Sequence, residues 1–265
     1  MKFPLSWLKQ HIETDATLDQ VVDTLTAVGL EVEEVTDRAK ELAPFTVAHV
    51  IEAVQHPDAD RLRVCTVDTG NGITQVVCGA PNARTGMKGV FADVGTTIPG
   101  NGMLLTAAKI RGVESKGMLC SEREMGLSDE HDGIIDLPED SPIGAPFAKL
   151  AGLDDPIIEL KITPNHQDAL GVAGIARDLA AAGLGKVITP EVEVLPGAFE
   201  SPIKIEMKLG DDVADACPYF VGRYVRGIKN GPSPKWLQDR LLAIGLRPIS
   251  ALVDMTNYIT FDMGR

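Results

Sequence analysis

FTVAHVIEAV, residues 45–54, is the first of about five short apolar runs that follow one another between residues 45 and 117. The other runs span residues 62–67, 75–78, 89–94 and 104–110. Turn-forming residues separate the runs, at His56-Pro57-Asp58, Gly70-Asn71-Gly72, Pro81-Asn82 and Pro99-Gly100. Short apolar runs at this spacing are typical of a small β-barrel. The sequence therefore predicts five strands that close into a barrel.

Amphipathic helices are predicted on both sides of this barrel. Thr17-Leu18-Asp19-Gln20 fits a capping box, and Gly29 is the expected end of the first helix. The helical period returns over residues 164–185, with Asp168 as the expected cap and Gly183 as the expected end. Short amphipathic helices gain their stability mainly by docking. We therefore expect these two segments to pack together, with the barrel inserted between them.

A third module is predicted after a Pro- and Glu-rich linker at residues 191–202. Residues 203–207 and 219–225 have the pattern of strands, and Ser233-Pro234 is expected to begin a helix that ends at Gly245. About sixty residues are few for an α/β domain whose strands still need partners. We expect this module to be cut short at Arg265.

The composition of the chain excludes several classes of protein. It has 265 residues, of which 44% are hydrophobic, and no run of apolar residues or N-terminal pattern is typical of a membrane span or a signal peptide. The net charge of -13 argues against a general polyanion binder, yet residues 84–124 hold six basic and four acidic residues. A weakly basic patch on an acidic, cytoplasmic protein is the expectation.

Residue types that carry catalysis are sparse. Neither G-x-x-x-x-G-K-[ST] nor G-x-G-x-x-G follows a strand, so no self-contained ATP site is expected. The five histidines form no H-x-x-x-H pair and none lies at ligand spacing from a cysteine, so no metal site is predicted. The four cysteines lie far apart without a C-x-x-C pair and are expected to be free thiols, with Cys120 a buried strand residue rather than a nucleophile.

Two polar clusters interrupt the strand pattern. HPDADRL, residues 56–62, crowds an imidazole, two carboxylates and an arginine into a turn, and its spacing alone favours an ordinary loop between two strands. KIRGVESKGM, residues 109–118, places three cations beside two glycines. Such a segment suits phosphate contact, but a solvated hairpin explains it nearly as well.

Three long motifs together resemble the tRNA-binding OB-fold of bacterial phenylalanine–tRNA ligase beta subunits: HPDADRL at 56–62, VCGAPN at 77–82 and RGVESKGMLCSE at 111–122. Flanking segments resemble the same family in order along the chain. These are FPLSWL at 3–8, GLEVE at 29–33, ITPN at 162–165, GIARDL at 174–179, GLRPI at 245–249 and VDMTNY at 253–258. The family usually has Arg after Thr-Pro-Asn and Cys two or three places later, where this chain has His166 and Ala169.

The resemblance implies a multidomain α+β fold. A small discontinuous helical α/β domain, residues 1–39 plus 152–190, would be split by an inserted OB-fold β-barrel at residues 40–151. The linker at 191–202 would lead to residues 203–265, the incomplete start of an α/β editing domain of the B3/B4 type.

The resemblance also implies an activity for the whole enzyme. This is an α2β2 ligase that attaches phenylalanine to its tRNA with ATP and Mg2+, with the aminoacylation site on the alpha subunit. The present chain would contribute tRNA binding, subunit architecture and the start of a proofreading domain. We expect it to be inactive alone, with no catalytic residue and no bound cofactor of its own.

The tRNA-binding candidates are the polar residues of the predicted barrel: Lys109, Arg111, Lys116, Arg84, Lys88, His56 and Arg61. Two other interpretations stay open from the residues. One is a free-standing tRNA-binding OB-fold protein that acts as an RNA chaperone without catalysis. The other is a structural module whose barrel has lost its RNA affinity, which suits the negative charge.

Overall fold

The computed structural model describes residues 1–264, and Arg265, where the third module is expected to be cut short, lies outside the described residues. The helices are α1 (Leu5–Leu8), α2 (Leu18–Ala27), α3 (Arg38–Glu41), α4 (Phe147–Leu150), α5 (Val172–Ala181), α6 (Lys235–Ala243) and α7 (Ala251–Met263). The strands are β1 (Lys2–Pro4), β2 (Ile12–Glu13), β3 (Glu31–Thr36), β4 (Phe45–His56), β5 (Ala59–Asp68), β6 (Ile73–Cys78), β7 (Lys88–Ala92), β8 (Ala108–Ile110), β9 (Val113–Ser115), β10 (Met118–Leu119), β11 (Ile157–Lys161) and β12 (Lys186–Val187). Two 3₁₀ turns lie at Gln167–Leu170 and Ala214–Ala216. Among residues 1–264, no helix is long and apolar enough to cross a membrane.

The chain divides into two compact units. The sheet unit comprises residues 2–6 and 31–161, and the helical unit comprises residue 1, residues 7–30 and the chain from residue 162 onward. Both units are therefore discontinuous in sequence. The finer domain boundaries expected from the sequence stay predictions.

The sheet unit is built on five antiparallel strands in the order β10-β7-β4-β5-β6. Apolar side chains alternate along β5, where Cys65 and Val67 are buried. The register of β4 against β5 shifts between Val50 and Glu52, which is a β-bulge. Such a bulge bends its strand and increases the local twist, so the long β4 can pair with β7 at one end and with β5 along its length.

Four of the five predicted strands are confirmed, as β4, β5, β6 and β7. The fifth is wrong: of residues 104–110 only β8 is a strand, and it pairs with β9 as a separate hairpin. The fifth strand of the sheet is instead β10, which pairs with β7. The strand pairs found in the described part of the chain form an open sheet rather than the predicted closed barrel.

Two apolar clusters stabilise this unit. One fills the inside of the sheet and is formed by Ala48, Val50, Cys65, Val67, Val76, Cys78, Ala83, Met87, Phe91, Leu119 and Ile134. The second packs the sheet against α4 and the loops after β7, and is formed by Leu42, Phe45, Val90, Ala92, Ile98, Leu105, Cys120, Met125, Phe147 and Ala148. A smaller antiparallel sheet in the order β1-β11-β3 belongs to the same unit.

The helical unit contains both predicted amphipathic helices. The capping box at Thr17 and Gln20 is confirmed, and α2 packs against α5. The predicted cap at Asp168 is wrong, because Gly171 precedes α5 and Asp168 lies in the 3₁₀ turn before it. The 3₁₀ turn at residues 167–170 occupies the positions at which a longer α5 would begin.

The third module differs most from the prediction. Neither predicted strand is present, and between residues 203 and 230 the 3₁₀ turn at Ala214–Ala216 is the one regular element. The helix predicted at Ser233-Pro234 is present as α6, but the predicted cap at Ser233 is wrong, because Pro234 is the cap residue and the Ser233 hydroxyl donates to Asp254 instead. Helix α7 has no counterpart among the predicted elements. Buried Asp254 links the two helices, because it accepts hydrogen bonds from the Ser233 hydroxyl and from the backbone N–H of Ile249 at 2.8 Å.

Candidate nucleic-acid interface

The β8–β9 hairpin presents the cationic cluster of residues 109–118. Its turn is Ile110-Arg111-Gly112-Val113, with φ of 43° at Arg111 and 88° at Gly112. Positive φ at both central residues is the geometry of a two-residue hairpin turn that matches the twist of the strands. Among residues 1–264, Arg111 is the one residue other than glycine with positive φ. The turn therefore holds the Arg111 side chain at an exposed tip.

His56 connects this hairpin to the turn between β4 and β5. Its ring is 2% exposed, and Nδ1 accepts a hydrogen bond from the backbone N–H of Asp58 at 3.0 Å. Nε2 therefore carries the proton and donates to the carbonyl oxygen of Ile110 at 3.1 Å. The imidazole fixes the relative position of two loops rather than facing solvent.

Arg111 adds a second link between the same loops. Its guanidinium donates to the carbonyl oxygen of Asp58 at 3.1 Å. A guanidinium has five N–H donors, so most of them stay available for a ligand.

The other cations of the hairpin are exposed. Within residues 1–264, Lys109 and Arg111 form no ion pair with an acidic side chain, whereas Lys116 pairs with Glu114 at 3.2 Å across a solvent-exposed surface. Exposed pairs of this kind are weak, so Lys116 can exchange its partner for a phosphate at little cost.

Arg61 lies on β5, just after the turn that His56 holds. It lines a groove of about 350 Å³ together with Gln55, Asp60, Arg63 and residues 79–81. The amide of Gln55 donates to the carbonyl oxygens of Ala59 and Leu62, at 2.8 and 3.1 Å, and so fixes this turn as well. Arg61 and the hairpin cations are thus brought to one end of β4.

Arg84 and Lys88 are placed differently from the hairpin cations. Arg84 pairs with Asp136 at 2.9 Å, and the Lys88 ammonium donates to the carbonyl oxygen of Ser141 at 2.5 Å. Lys88 lies opposite His49 in the ladder, seven residues along β4 from His56. At ~3.3 Å per residue this is about 23 Å. The predicted group of seven residues therefore separates into an end-of-sheet cluster and two residues held by other loops.

A larger cleft of about 540 Å³ in the sheet unit is not foreseen from the sequence. Its wall includes the Cys78–Pro81 part of the second motif, and its polar lining includes Asn101, Ser121, Arg123, Glu124 and His131. Glu124 accepts from the backbone N–H and the hydroxyl of Ser121, at 2.6 and 2.7 Å, which fixes this loop. The third motif also reaches this cleft, through Met118, Leu119 and Ser121.

Asn82, the last residue of the second motif, forms two hydrogen bonds to the backbone of Ile134. Its side-chain amide donates to the carbonyl oxygen of Ile134 at 2.8 Å and accepts from the Ile134 backbone N–H at 3.0 Å. Asn82 thus joins the segment that follows β6 to the loop that contains Ile134, which is a structural role.

The buried cysteines do not offer a nucleophile. Burial raises the pKa of the Cys65 thiol to about 11, and it raises the pKa of Cys78 and of Cys120 as well. All four cysteines are free thiols, and Cys217 is the half-buried one. The thiolate is the reactive form, so the three buried thiols are unreactive near neutral pH.

Two family models match the chain. Residues 45–146 match the family described as "Putative tRNA binding domain", and residues 216–265 match the "B3/4 domain" family. The first range contains the sheet, the hairpin and the cleft. The chain therefore combines a region that matches a tRNA-binding domain family with a region that matches the B3/4 domain family.

Curated relatives match the chain along its whole length. The phenylalanine–tRNA ligase beta subunit of Mesorhizobium japonicum is 63% identical over 267 residues, and that of Bradyrhizobium diazoefficiens is 58% identical over 267 residues. Each alignment covers 100% of this chain and 33% of the relative. The chain belongs to the family of phenylalanine–tRNA ligase beta subunits, and it spans about a third of the length of the curated relatives that it matches.

Among solved structures, the MetRS related protein from Pyrococcus horikoshii is 30% identical over 38% of this chain and 85% of that chain. The TM-score is 0.29, which is too low to support a statement about the fold.

Proposed function

We propose that this chain is the N-terminal part of the beta subunit of a phenylalanine–tRNA ligase, in which it contacts tRNA, supports subunit assembly and begins a proofreading domain. The observation that carries the proposal is the 63% identity to a named beta subunit over the whole chain. The whole enzyme attaches phenylalanine to tRNA with ATP and Mg2+. An alpha subunit, in an α2β2 assembly, supplies the aminoacylation site.

The sheet between residues 45 and 119 serves as an OB-fold in this proposal. Two hydrogen bonds support it by bridging the open side of the sheet. The backbone N–H of Lys116 donates to the carbonyl oxygen of Gln75 at 2.9 Å, and the backbone N–H of Val77 donates to the Ser115 hydroxyl at 3.0 Å. The segment that connects β9 to β10 thus lies along β6, on the side of the sheet that strand pairing leaves open.

The RNA-facing edge is the end of the sheet that carries the β8–β9 hairpin. Lys109, Arg111 and Lys116 supply sequence-independent phosphate contacts, with Arg61 beside them. His56 acts as a positioning residue, because its ring is buried between the two loops. Arg84 and Lys88 are secondary candidates, since each is already held by Asp136 or Ser141.

The B3/4 match at residues 216–265 supports the proofreading role. A pocket for phenylalanine discriminates poorly against tyrosine, which differs by an added hydroxyl. A second, hydrolytic site that hydrogen-bonds the hydroxyl removes this error. In this chain, α6 and α7 belong to the scaffold of such a domain.

A free-standing tRNA-binding chaperone is the second candidate. The tRNA-binding match over residues 45–146 suits it equally well. The B3/4 match and the alignment of the whole chain with beta subunits favour the ligase. A purely structural module differs from both because it would not bind tRNA.

A salt titration of tRNA binding tests the RNA-facing edge. The variant is Lys109→Glu with Arg111→Glu, and the matched control is Lys40→Glu with Lys149→Glu, which changes the same charge at exposed residues of α3 and α4 in the same unit. We expect the hairpin variant to bind tRNA more weakly. The slope of log K against log salt should become shallower by about 0.7–0.9 for each phosphate that the variant no longer neutralises. The control should retain the slope. An equal weakening in both variants would assign the effect to net charge and reject the hairpin as the site.

A further inference from the structure

Three metal-binding side chains converge in the helical unit, far from the tRNA-binding motifs in sequence. His166 precedes the 3₁₀ turn, Asp168 lies in that turn, and Asp178 lies on α5. His166 Nδ1 is 3.5 Å from Asp168 Oδ1 and 3.9 Å from Asp178 Oδ2. One ligand atom from each of the three residues lies within 4.8 Å of the other two.

The backbone brings these residues together by a tight local packing. The carbonyl oxygen of Thr163 accepts from the His166 N–H at 3.0 Å, and the carbonyl oxygen of His166 accepts from the Ala169 N–H at 3.1 Å. The turn then lies directly on α5 at Gly174, where a Cβ would be 1.7 Å from the carbonyl oxygen of Asp168. Only glycine allows this approach, so the cluster is formed by the fold itself.

Two of the ligand atoms lack the partners that their burial requires. Within residues 1–264, neither His166 Nδ1 nor Asp178 Oδ2 has a hydrogen-bond partner, and both atoms are inaccessible to solvent. Their separation of 3.9 Å is too long for a hydrogen bond between them. Buried polar atoms are normally paired. These two atoms face each other at ion-pair distance, on side chains that are 34% and 25% exposed, so one ligand reaching between them could contact both.

We propose that His166, Asp168 and Asp178 bind one divalent transition-metal ion, for which zinc is the probe. Zinc binds imidazole nitrogen and carboxylate oxygen at about 2.0–2.2 Å, which places the ligand atoms of a tetrahedral ion about 3.3–3.6 Å apart. The two His166 distances, 3.5 and 3.9 Å, need only small side-chain movements to reach that spacing, and the two carboxylate oxygens, which lie within 4.8 Å of each other, would have to approach as well. An imidazole in the set favours zinc and its neighbours over magnesium or calcium. The bound ion connects the 3₁₀ turn to α5.

Zinc titration of the 265-residue chain, after treatment with EDTA, tests the site. We expect one zinc ion per chain by calorimetry and a rise in the melting temperature of roughly 5–10 °C at a hundredfold excess over Kd. Replacing zinc with cobalt should give the visible absorption of a tetrahedral ion with nitrogen and oxygen ligands. Magnesium at the same concentration should produce neither effect.

Variants separate a metal site from a simple ion pair. His166→Arg supplies a fixed cation to both carboxylates, so it should keep the fold and lose the zinc response, and Asp178→Asn should weaken zinc binding at least tenfold. His131→Arg is the matched control, because His131 is exposed among acidic residues in the other unit. Zinc binding that persists in His166→Arg, that disappears in His131→Arg, or that is absent from the native chain would overturn the proposal and leave His166 as an ion-pair residue.

Discussion

Residues 45–78 and residues 203–225 have the same kind of sequence pattern, yet only the first region forms strands. In the first, β4, β5 and β6 pair in a continuous antiparallel ladder and bury their apolar side chains. In the second, no strand pair forms within the described residues, and Ile205 and Val221 are 51% and 69% exposed.

Strand formation therefore depends more on a neighbouring strand that can pair with the segment than on the segment's own sequence pattern. An extended segment exposes its backbone N–H and C=O groups until a neighbouring strand pairs with them. The segment at 45–54 has neighbours that follow within the next 25 residues, joined by short turns. The later segment is followed by helices α6 and α7, which offer no ladder.

Removal of a large aromatic side chain should separate the two regions most strongly. Phe45→Ala deletes a fully buried ring and should lower the free energy of unfolding by about 3–5 kcal/mol. Phe220→Ala deletes a ring that is 59% exposed and should change the stability by less than about 0.5 kcal/mol. Urea unfolding followed by far-UV circular dichroism measures both. Equal losses would mean that residues 203–225 have a packed core of their own.

The second largest difference between the two regions should be in the reactivity of their cysteine thiols. Cys217 is half-buried in the unpaired region, whereas burial raises the pKa of Cys65 to about 11 from 9.0. A shift of this size lowers the thiolate fraction about a hundredfold, and burial restricts access further. With iodoacetamide at pH 8, peptide mass mapping should find Cys217 modified first and the other three cysteines modified only after unfolding. Early modification of Cys78 or Cys120 would show that the sheet opens more readily than its packing implies.

The smallest expected effect concerns helix α7, a folded element that follows residues 203–225 in the chain. On α7, Asp262 accepts from the Trp7 indole N–H at 2.7 Å and pairs with His11 at 2.6 Å. Burial by itself would raise the pKa of Asp262, but the hydrogen bonds from His11 and Trp7 outweigh it, so the pKa lies below its ordinary value. A lowered folded pKa adds stability that is present above the ordinary value near 3.9 and is lost as the pH falls through the folded pKa.

Asp262→Asn should therefore cost about 1–2 kcal/mol at pH 7, and the difference from the native chain should shrink as the pH falls below the ordinary pKa near 3.9 and through the lowered folded pKa. The control is Asp239→Asn, whose carboxylate forms an exposed i,i+4 pair with Lys235 and should contribute less than about 0.5 kcal/mol. Thermal unfolding across this pH range measures both variants. A gap that stays constant with pH would show that the Asp262 charge has no role in docking α7.

The sequence predicts an element well where the signal is local. The capping box at Thr17 and the helix after Ser233-Pro234 each depend on a few adjacent residues, and both are confirmed. The predicted strand at 104–110 is wrong because β10, with only two residues, takes its place beside β7. A two-residue strand forms because a neighbouring strand pairs with it. Two residues are too few to show the alternating pattern that predicts a strand from sequence.

The candidate interface is only partly predictable, because some of its features depend on strand pairing rather than on adjacent residues. Residue types and spacing mark Lys109, Arg111 and Lys116 as one group, and the hairpin keeps them together. The burial of His56 and the separation of Lys88 depend on register across β4, which composition does not encode. The proposed metal ligands escape prediction because His166 and Asp178 are twelve residues apart and meet only when the turn folds onto α5.

The double link from the β4–β5 turn to the hairpin has a consequence for the thermodynamics of binding. The His56 ring and the Arg111 guanidinium each join the two loops, so the hairpin tip is ordered before any polyanion arrives. A preorganised surface loses little conformational entropy on association. Binding at this tip should then depend mainly on the release of counterions, with a small change in heat capacity, rather than on the folding of a loop around the ligand.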